Sequence, residues 1–365
     1  MTPRFRPGYN RTPMADRVTL FHDLISGRRR GPVATVARAG LWAASLPYGA
    51  GVRVRNKLFD LGIKTSIKVP VPVVCVGNLS LGGTGKTPMV EWVARQLVDM
   101  GRRPAVVSRG YGAGDEARVL EDNLSDVPHL CGADRAAVTL TAVEELEADC
   151  IVLDDGFQHR RLHRDLDIVL IDATRRPSAD DLFPRGTLRE PVSGLKRAGM
   201  AVVTRFDQLH DRSDPRTWLA RLFPRLPVAT AVHAPIDLVA SDGSTASLDL
   251  IRGQPVALFS GIGNPHAFFH TVSSLTRDIG PDREFPDHHA YTRADVDSLR
   301  MWADGALRPN DTILTTQKDM VKLQLTELAG RPVYALRIGI RFLDGEDLIR
   351  NTLRQAVGEP AGVPA

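Results

Sequence analysis

Gly82-Gly83-Thr84-Gly85-Lys86-Thr87 follow the apolar run VPVVCVGN and precede Val90, Val93, Ala94 and Leu97, which stand at i, i+3, i+4 and i+7. A strand that ends in glycines and opens a helix aims several backbone N–H groups, and the positive end of the helix dipole, at one point. Polyphosphate is the ligand that suits such a point. In this reading Gly82, Gly83 and Gly85 give the backbone its freedom, Lys86 reaches the β and γ phosphates, and the Thr87 hydroxyl holds Mg²⁺. The common form of the signature asks for glycine where this chain has Ser80. The working parts of the loop remain without it.

Four further stretches carry chemistry-bearing side chains. CIVLDDG leaves Asp154 and Asp155 at the end of an apolar run, where a carboxylate meets a metal or its water shell in a phosphate-loop fold. SRGYG leads into Asp115 and Glu116, and an aspartate near a γ-phosphate can orient or deprotonate an acceptor hydroxyl. The same two acids could equally form a solvated loop. FPRGTLREP offers Arg185, Arg189 and Glu190, where a guanidinium can brace a phosphate or simply face solvent. EFPDHHAYT offers Asp287, His288, His289 and Tyr291; adjacent histidines point apart, so at most one faces a site. His159 and His163 are also spaced i, i+4, but without an intervening glutamate they do not read as a zinc site.

The elements that must position these residues alternate along the chain. Short apolar runs at VPVVCVGN, RPAVVSRG, CIVLDDG, DIVLIDA, MAVVTR, VATAVHA, VALFSGIG, TILTTQKD and VYALRIGI read as strands separated by helical patterns. That order predicts a mostly parallel α/β sheet flanked by helices. Pro88 fits the first turn of the first helix, and Asn264-Pro265 cap and start another whose face is Phe268, Phe269 and Val272. The polar stretch 234–253 places a domain boundary near residue 233. The expected division is therefore a basic, partly disordered tail over 1–30, a phosphate-loop domain over 31–232, a smaller α/β domain over 233–350 and a tail over 351–365.

Composition narrows the partners. At 365 residues with 43% hydrophobic and 25% charged side chains, the chain is neither disordered nor fibrous. Its three cysteines show no metal or disulfide spacing and read as reduced structural residues. Residues 1–70 hold thirteen Lys and Arg against three Asp, a net of +10 that leaves −6 for the rest of a chain whose total is +4. An anionic partner at this end is implied. Between these charges AGLWAASLPYGAGV is uncharged but too short and too broken to cross a bilayer, which takes about 20 apolar residues. A Trp and a Tyr beside basic residues fit a segment lying in a membrane interface, or a core helix with basic ends. The stretch comes too late for a cleavable signal, and the chain lacks the aromatic and basic interleaving of a single-strand nucleic-acid binder.

Taken in order, GNLSLGGTGKTP, SRGYG, GDEARVL, LDDGFQHRRLHRDLDIVLID, FPRGTLREP, SGIGNPHAFF, FPDHHAYT and TTQKD closely resemble the tetraacyldisaccharide 4'-kinase (lipid A 4'-kinase) family from about residue 35 to about residue 345. The resemblance implies a P-loop NTPase-type domain joined to a smaller α/β domain, with ATP and Mg²⁺ bound between them. It implies transfer of the γ-phosphate to the 4'-hydroxyl of an acylated glucosamine disaccharide 1-phosphate, by an enzyme resting on the cytoplasmic face of the inner membrane. Carried over residue by residue, it puts nucleotide contacts on Gly82 to Thr87, Arg189 and Glu190, catalysis on Asp115, His288 and Lys86, and Mg²⁺ on Thr87, Asp154 and Asp155. The family commonly has Glu at the place of Gln317, so no role is assigned there. The competing expectation is a membrane-associated switch ATPase without a small-molecule acceptor. Such ATPases carry a lysine before the two glycines, where this chain has Leu81.

Overall fold

A computed structural model describes residues 20, 21, 23–110, 114–175, 180–209 and 214–358. Of the tail expected over 1–30, residues 1–19 and 22 lie outside the described residues, as do Tyr111 and Gly112 of SRGYG.

Residues 20, 21 and 23–25 are helical, and α1 (Pro32–Asp60) follows; it begins at a proline whose missing N–H costs nothing in a first turn and continues through Pro47. At 29 residues it is about 44 Å long. Its outer face carries Val33, Val36, Trp42, Leu46 and Val54, all exposed. No helix among the described residues is long and apolar enough to cross a membrane.

The expected alternation follows: β1 (Val73–Asn78), α2 (Lys86–Asp99), β2 (Pro104–Ser108), α3 (Asp115–Asn123), β3 (His129–Cys131), α4 (Arg135–Glu145), β4 (Cys150–Asp154), β5 (Leu166–Asp172), β6 (Met200–Thr204), α5 (Pro215–Leu222) and β7 (Val228–Val239). After them come β8 (Thr245–Ala246), β9 (Val256–Ser260), α6 (Pro265–Ser273), β10 (Ile279–Glu284), α7 (Arg293–Ala306), β11 (Thr312–Thr316), α8 (Gln317–Leu323), β12 (Glu327–Leu328), β13 (Arg331–Asp344) and α9 (Glu346–Val357). The sheet order is β10-β9-β11-β13-β7-β6-β5-β1-β4-β2-β3, parallel along this path except where β13 meets β7 antiparallel. The short β8 and β12 pair at its side with β7 and β13.

All six residues of β1 are buried, as a strand covered on both faces requires. Alternate side chains go to opposite layers: Val74 and Val76 meet Val90, Val93 and Leu97 of α2, while Val73 and Cys75 join Phe157 and Leu162. Cys150 is likewise buried in β4, Cys131 is exposed, and none of the three cysteines is bonded to another. From β1 the chain runs through α2 to β2 on one side, whereas the neighbouring β4 leads back across β1 to β5 on the other, so the connections of these adjacent strands leave in opposite directions. The crevice at their carboxyl ends is where ligands bind in open sheets of this type.

Residue 233 falls inside β7, whose first residues pair with β6 and whose length from Thr230 to Val239 pairs with β13. Both halves thus share one sheet. The tail expected from residue 351 requires correction. Residues 346–357 form α9, and Ile349, Leu353 and Val357 are buried against the same layer as α2. An i, i+4, i+8 apolar face is what drives that docking. In α6, Asn264 caps through its side chain to the Ala267 N–H at 3.1 Å, and Phe268 and Val272 are buried. Phe269, expected on the same face, is exposed.

Candidate active site

The loop from Leu79 to Gly85 enters α2 through two backbone positions that only glycine adopts without strain, Gly82 at φ 100° and Gly85 at φ 88°. A Cβ on Gly85 would also run into the imidazole of His233 on β7. Side chains at the ends of neighbouring strands fix the loop. Arg205 donates to the Gly83 carbonyl at 2.7 Å and the Thr204 hydroxyl to the Thr84 carbonyl at 2.9 Å. Asn78 donates to the Thr84 hydroxyl at 2.8 Å, so that buried side chain holds the loop together. Ser80 forms an antiparallel bridge with Leu188, and the Leu81 N–H reaches the Thr187 carbonyl at 2.8 Å. The place of the absent glycine is therefore a strap to the segment that carries Arg189.

Asp154 and Asp155 end β4 facing this loop. Asp155, at φ 49°, pairs with Lys86 at 3.7 Å and with Arg189 at 2.8 Å. Burial would raise its pKa, but Lys86 and then Arg189 hold it below the ordinary carboxylate range. Asp154 is buried and goes the other way: desolvation, against the pull of Lys86 and helped by Glu116 and Asp155, lifts it to about 6. Its Oδ1 has no hydrogen-bond partner. A divalent cation would supply what that oxygen lacks, and the Thr87 hydroxyl on the first turn of α2 lines the same cavity as the adjacent Asp155, so the residues present fit magnesium. No cluster of three acidic, His or Cys side chains suited to a metal occurs among the described residues. A magnesium shared with a nucleotide needs only one or two carboxylates.

Across the crevice, Asp115 begins α3, where a carboxylate suits the helix dipole. His288 Nδ1 lies 3.1 Å from both Asp115 oxygens, and Lys322 Nζ lies 3.3 Å from Oδ2. Burial opposes ionisation of Asp115, yet the His288 bond, with Lys322 and Lys318 nearby, holds its pKa far below the usual value. The same bond raises His288 above that of a free imidazole. Of the two adjacent histidines only one faces the crevice. His289 turns to Asp295 at 3.1 Å and stacks on Phe285 at 5.0 Å.

Between these groups lies a cavity of about 320 Å³. Gly82, Gly83, Gly85, Lys86 and Thr87 form one wall with Arg189, and Ile262, Phe268, His288 and Lys318 contribute from the other side. Asp155 and Glu116 also line it, whereas Asp115, Asp154, Thr84 and Glu190 stand behind the lining. Glu190 is turned away altogether. Its fully buried carboxylate pairs with Arg197 at 2.9 Å and accepts from Gln158 at 3.0 Å and from Asn56 of α1 at 3.2 Å. Next to it, the Arg189 carbonyl accepts from the Tyr48 hydroxyl of α1 at 2.7 Å. Glu190→Ala is accordingly expected to destabilise the protein by about 3–5 kcal/mol in denaturant unfolding, because it strands a desolvated guanidinium.

Sequence reasoning missed Arg205, His233, Lys318 and Lys322. Arg205 and His233 each had a usable signal, a cation or imidazole at the end of, or inside, an apolar strand run. Lys318 and Lys322 had another, the i, i+4 spacing that puts both on one face of α8.

A profile of the tetraacyldisaccharide-1-P 4'-kinase family matches residues 37–357. The chain belongs to this family. It is 38% identical over 357 residues to the tetraacyldisaccharide 4'-kinase of Anaeromyxobacter sp. (strain K), covering 90% of this chain and 93% of that one. It is 36% identical to the Geobacter sulfurreducens enzyme of the same name, covering 88% and 94%. Among solved structures, LpxK from Aquifex aeolicus, crystallised in complex with ATP, superposes with a TM-score of 0.71 at 30% identity, covering 88% of this chain and all of that one. The family and fold expected from the motifs thus hold.

Proposed function

We infer that this chain is an ATP-dependent kinase that transfers the γ-phosphate to the 4'-hydroxyl of tetraacyldisaccharide 1-phosphate in lipid A biosynthesis. Family membership supports the activity, and the Asp115–His288 contact facing the glycine loop is the observation that supports the mechanism. Backbone N–H groups of Gly82, Gly83 and Gly85 receive phosphate oxygens, and Lys86 leaves its loose pairing with Asp155 to neutralise charge on them. Thr87, Asp154 and Asp155 are the residues that would hold magnesium, which would supply charge neutralisation to the phosphates. Arg189 braces the phosphates from the Asp155 side. Asp115, with His288 as its partner, takes the proton of the acceptor hydroxyl. Because phosphoryl transfer asks little covalent chemistry of the protein, placing that hydroxyl in line accounts for most of the effect.

The two halves that enclose the reaction divide within β7, and α1 rests on the anionic cytoplasmic face of the inner membrane. Its exposed Val36, Trp42 and Leu46, together with exposed Arg28, Arg29 and Arg30 just before it, support that placement. Trp42→Glu combined with Leu46→Glu is expected to abolish co-sedimentation with phosphatidylglycerol vesicles without lowering the melting temperature. A switch ATPase without an acceptor would have no use for an acid–imidazole pair at this cavity. Incubation with MgATP and tetraacyldisaccharide 1-phosphate, followed by mass spectrometry, is expected to show one added phosphate. A folded preparation that adds none would rule the reading out.

A further inference from the structure

Asp115 and His288 are held by more than each other. Lys322 of α8 places its ammonium 3.3 Å from Asp115 Oδ2 and 3.5 Å from Asp319 Oδ1. Asp319 is fully buried and fixed by three donors: the Gly261 N–H at 3.0 Å, the Thr316 hydroxyl at 2.7 Å and the Tyr291 hydroxyl at 3.0 Å. The Gly261 carbonyl in turn accepts from the His288 N–H at 3.2 Å. Following these contacts gives a closed circuit through both halves, from Asp115 to His288, Gly261, Asp319, Lys322 and back to Asp115.

Each member of the circuit constrains the next. A Cβ at Gly261 would lie 2.9 Å from Asp319 Oδ1 and 3.0 Å from the Tyr291 hydroxyl, so the turn admits only glycine there. His288 sits at φ 55°, a conformation that a residue with a Cβ keeps only when its surroundings impose it. His288 Nδ1 is equidistant from the two Asp115 oxygens and so does not choose between them. Lys322 at Oδ2 and the Glu116 N–H, 3.1 Å from Oδ1, remove that freedom. The Lys322 and Asp115 side chains are only 17% and 8% exposed, so their attraction escapes most solvent screening. The other charged groups around the pair are Lys318 and Glu116, and Asp287, which lies 3.9 Å from His288 Nε2.

We propose that Lys322, anchored by Asp319, is a positioning residue of the phosphoryl transfer: it fixes the Asp115 carboxylate so that the Asp115–His288 pair meets the acceptor hydroxyl in one orientation. This rests on the reading of Asp115 and His288 as the proton-accepting pair. Lys322 touches neither substrate; it acts through Asp115.

The test uses the full chain with MgATP and tetraacyldisaccharide 1-phosphate. Lys322→Met is expected to lower kcat by about tenfold to a hundredfold, leave the KM for ATP unchanged, and move the acid limb of the kcat/KM profile to higher pH, since a cation that opposes protonation of the pair is gone. Lys322→Arg restores part of the loss, and Asp319→Asn, nearly identical in shape, reproduces it. In an Asp115→Asn background Lys322→Met should add nothing. Parental kcat and an unmoved acid limb in both Lys322→Met and Asp319→Asn would overturn the proposal, as would an undiminished further loss in the Asp115→Asn background. Parental activity in Asp115→Asn alone would instead remove the reading on which the proposal stands.

Discussion

Asp115→Ala is expected to lower kcat by about 10²–10⁴-fold, the range for loss of a positioned proton acceptor, while nucleotide affinity stays close to that of the parent. Asp115 touches His288 and Lys322 and does not line the cavity beside the glycine loop, so its loss leaves the phosphate contacts standing. Steady-state turnover together with titration of a non-hydrolysable ATP analogue separates the two quantities. The pH profile carries the same information. The Asp115 bond raises His288 above the roughly 6.5 of a free imidazole. Below that raised value His288 is charged and makes Asp115 a weaker base; above it the pair regains its affinity for a proton. Activity should therefore rise with pH through an apparent pKa above about 6.5 and then level off. Asp115→Asn is expected to flatten that limb.

Lys86→Ala is expected to damage both quantities, with kcat lower by on the order of 10²–10³-fold and ATP affinity clearly reduced. Removing this ammonium takes away the charge that faces the phosphates and leaves Asp155 paired with Arg189 alone. It also leaves Asp154, Asp155 and Glu116 as a concentration of negative charge where the triphosphate must enter. Equal losses of nucleotide binding in Lys86→Ala and Asp115→Ala would contradict the separate roles assigned to them.

The parts legible in the sequence were those where one physical pattern dominates. Runs such as VVCVGN and CIVLD can only be buried strands, and glycines before Lys86-Thr87 announce a loop that needs unusual backbone angles. What stayed hidden depended on which way a side chain turns. Arg189 and Glu190 are neighbours in one polar segment, yet Arg189 faces Asp155 and Glu190 faces Arg197 on the other side of the backbone. His288 and His289 are the same residue type, and only the turn after Phe285 decides which one meets Asp115. Strand β10 was missed because IGPDRE is a polar edge strand containing a proline, acceptable where one side has no partner. The last part of α9, 351–357, reads as tail in the sequence because the helix's apolar face spans few residues and its docking partner lies more than 250 positions earlier, at α2.

One continuous sheet also limits how the crevice can open. Strand β7 carries His233 against the glycine loop and then runs alongside β13 to Val239, deep in the half that bears His288. Among the described residues the chain passes from one wall to the other within β7 and back within β13, with no loop at either crossing. Admitting or releasing a bulky lipid is therefore met by twisting a hydrogen-bonded ribbon, a stiff spring, or by moving the surface elements around it.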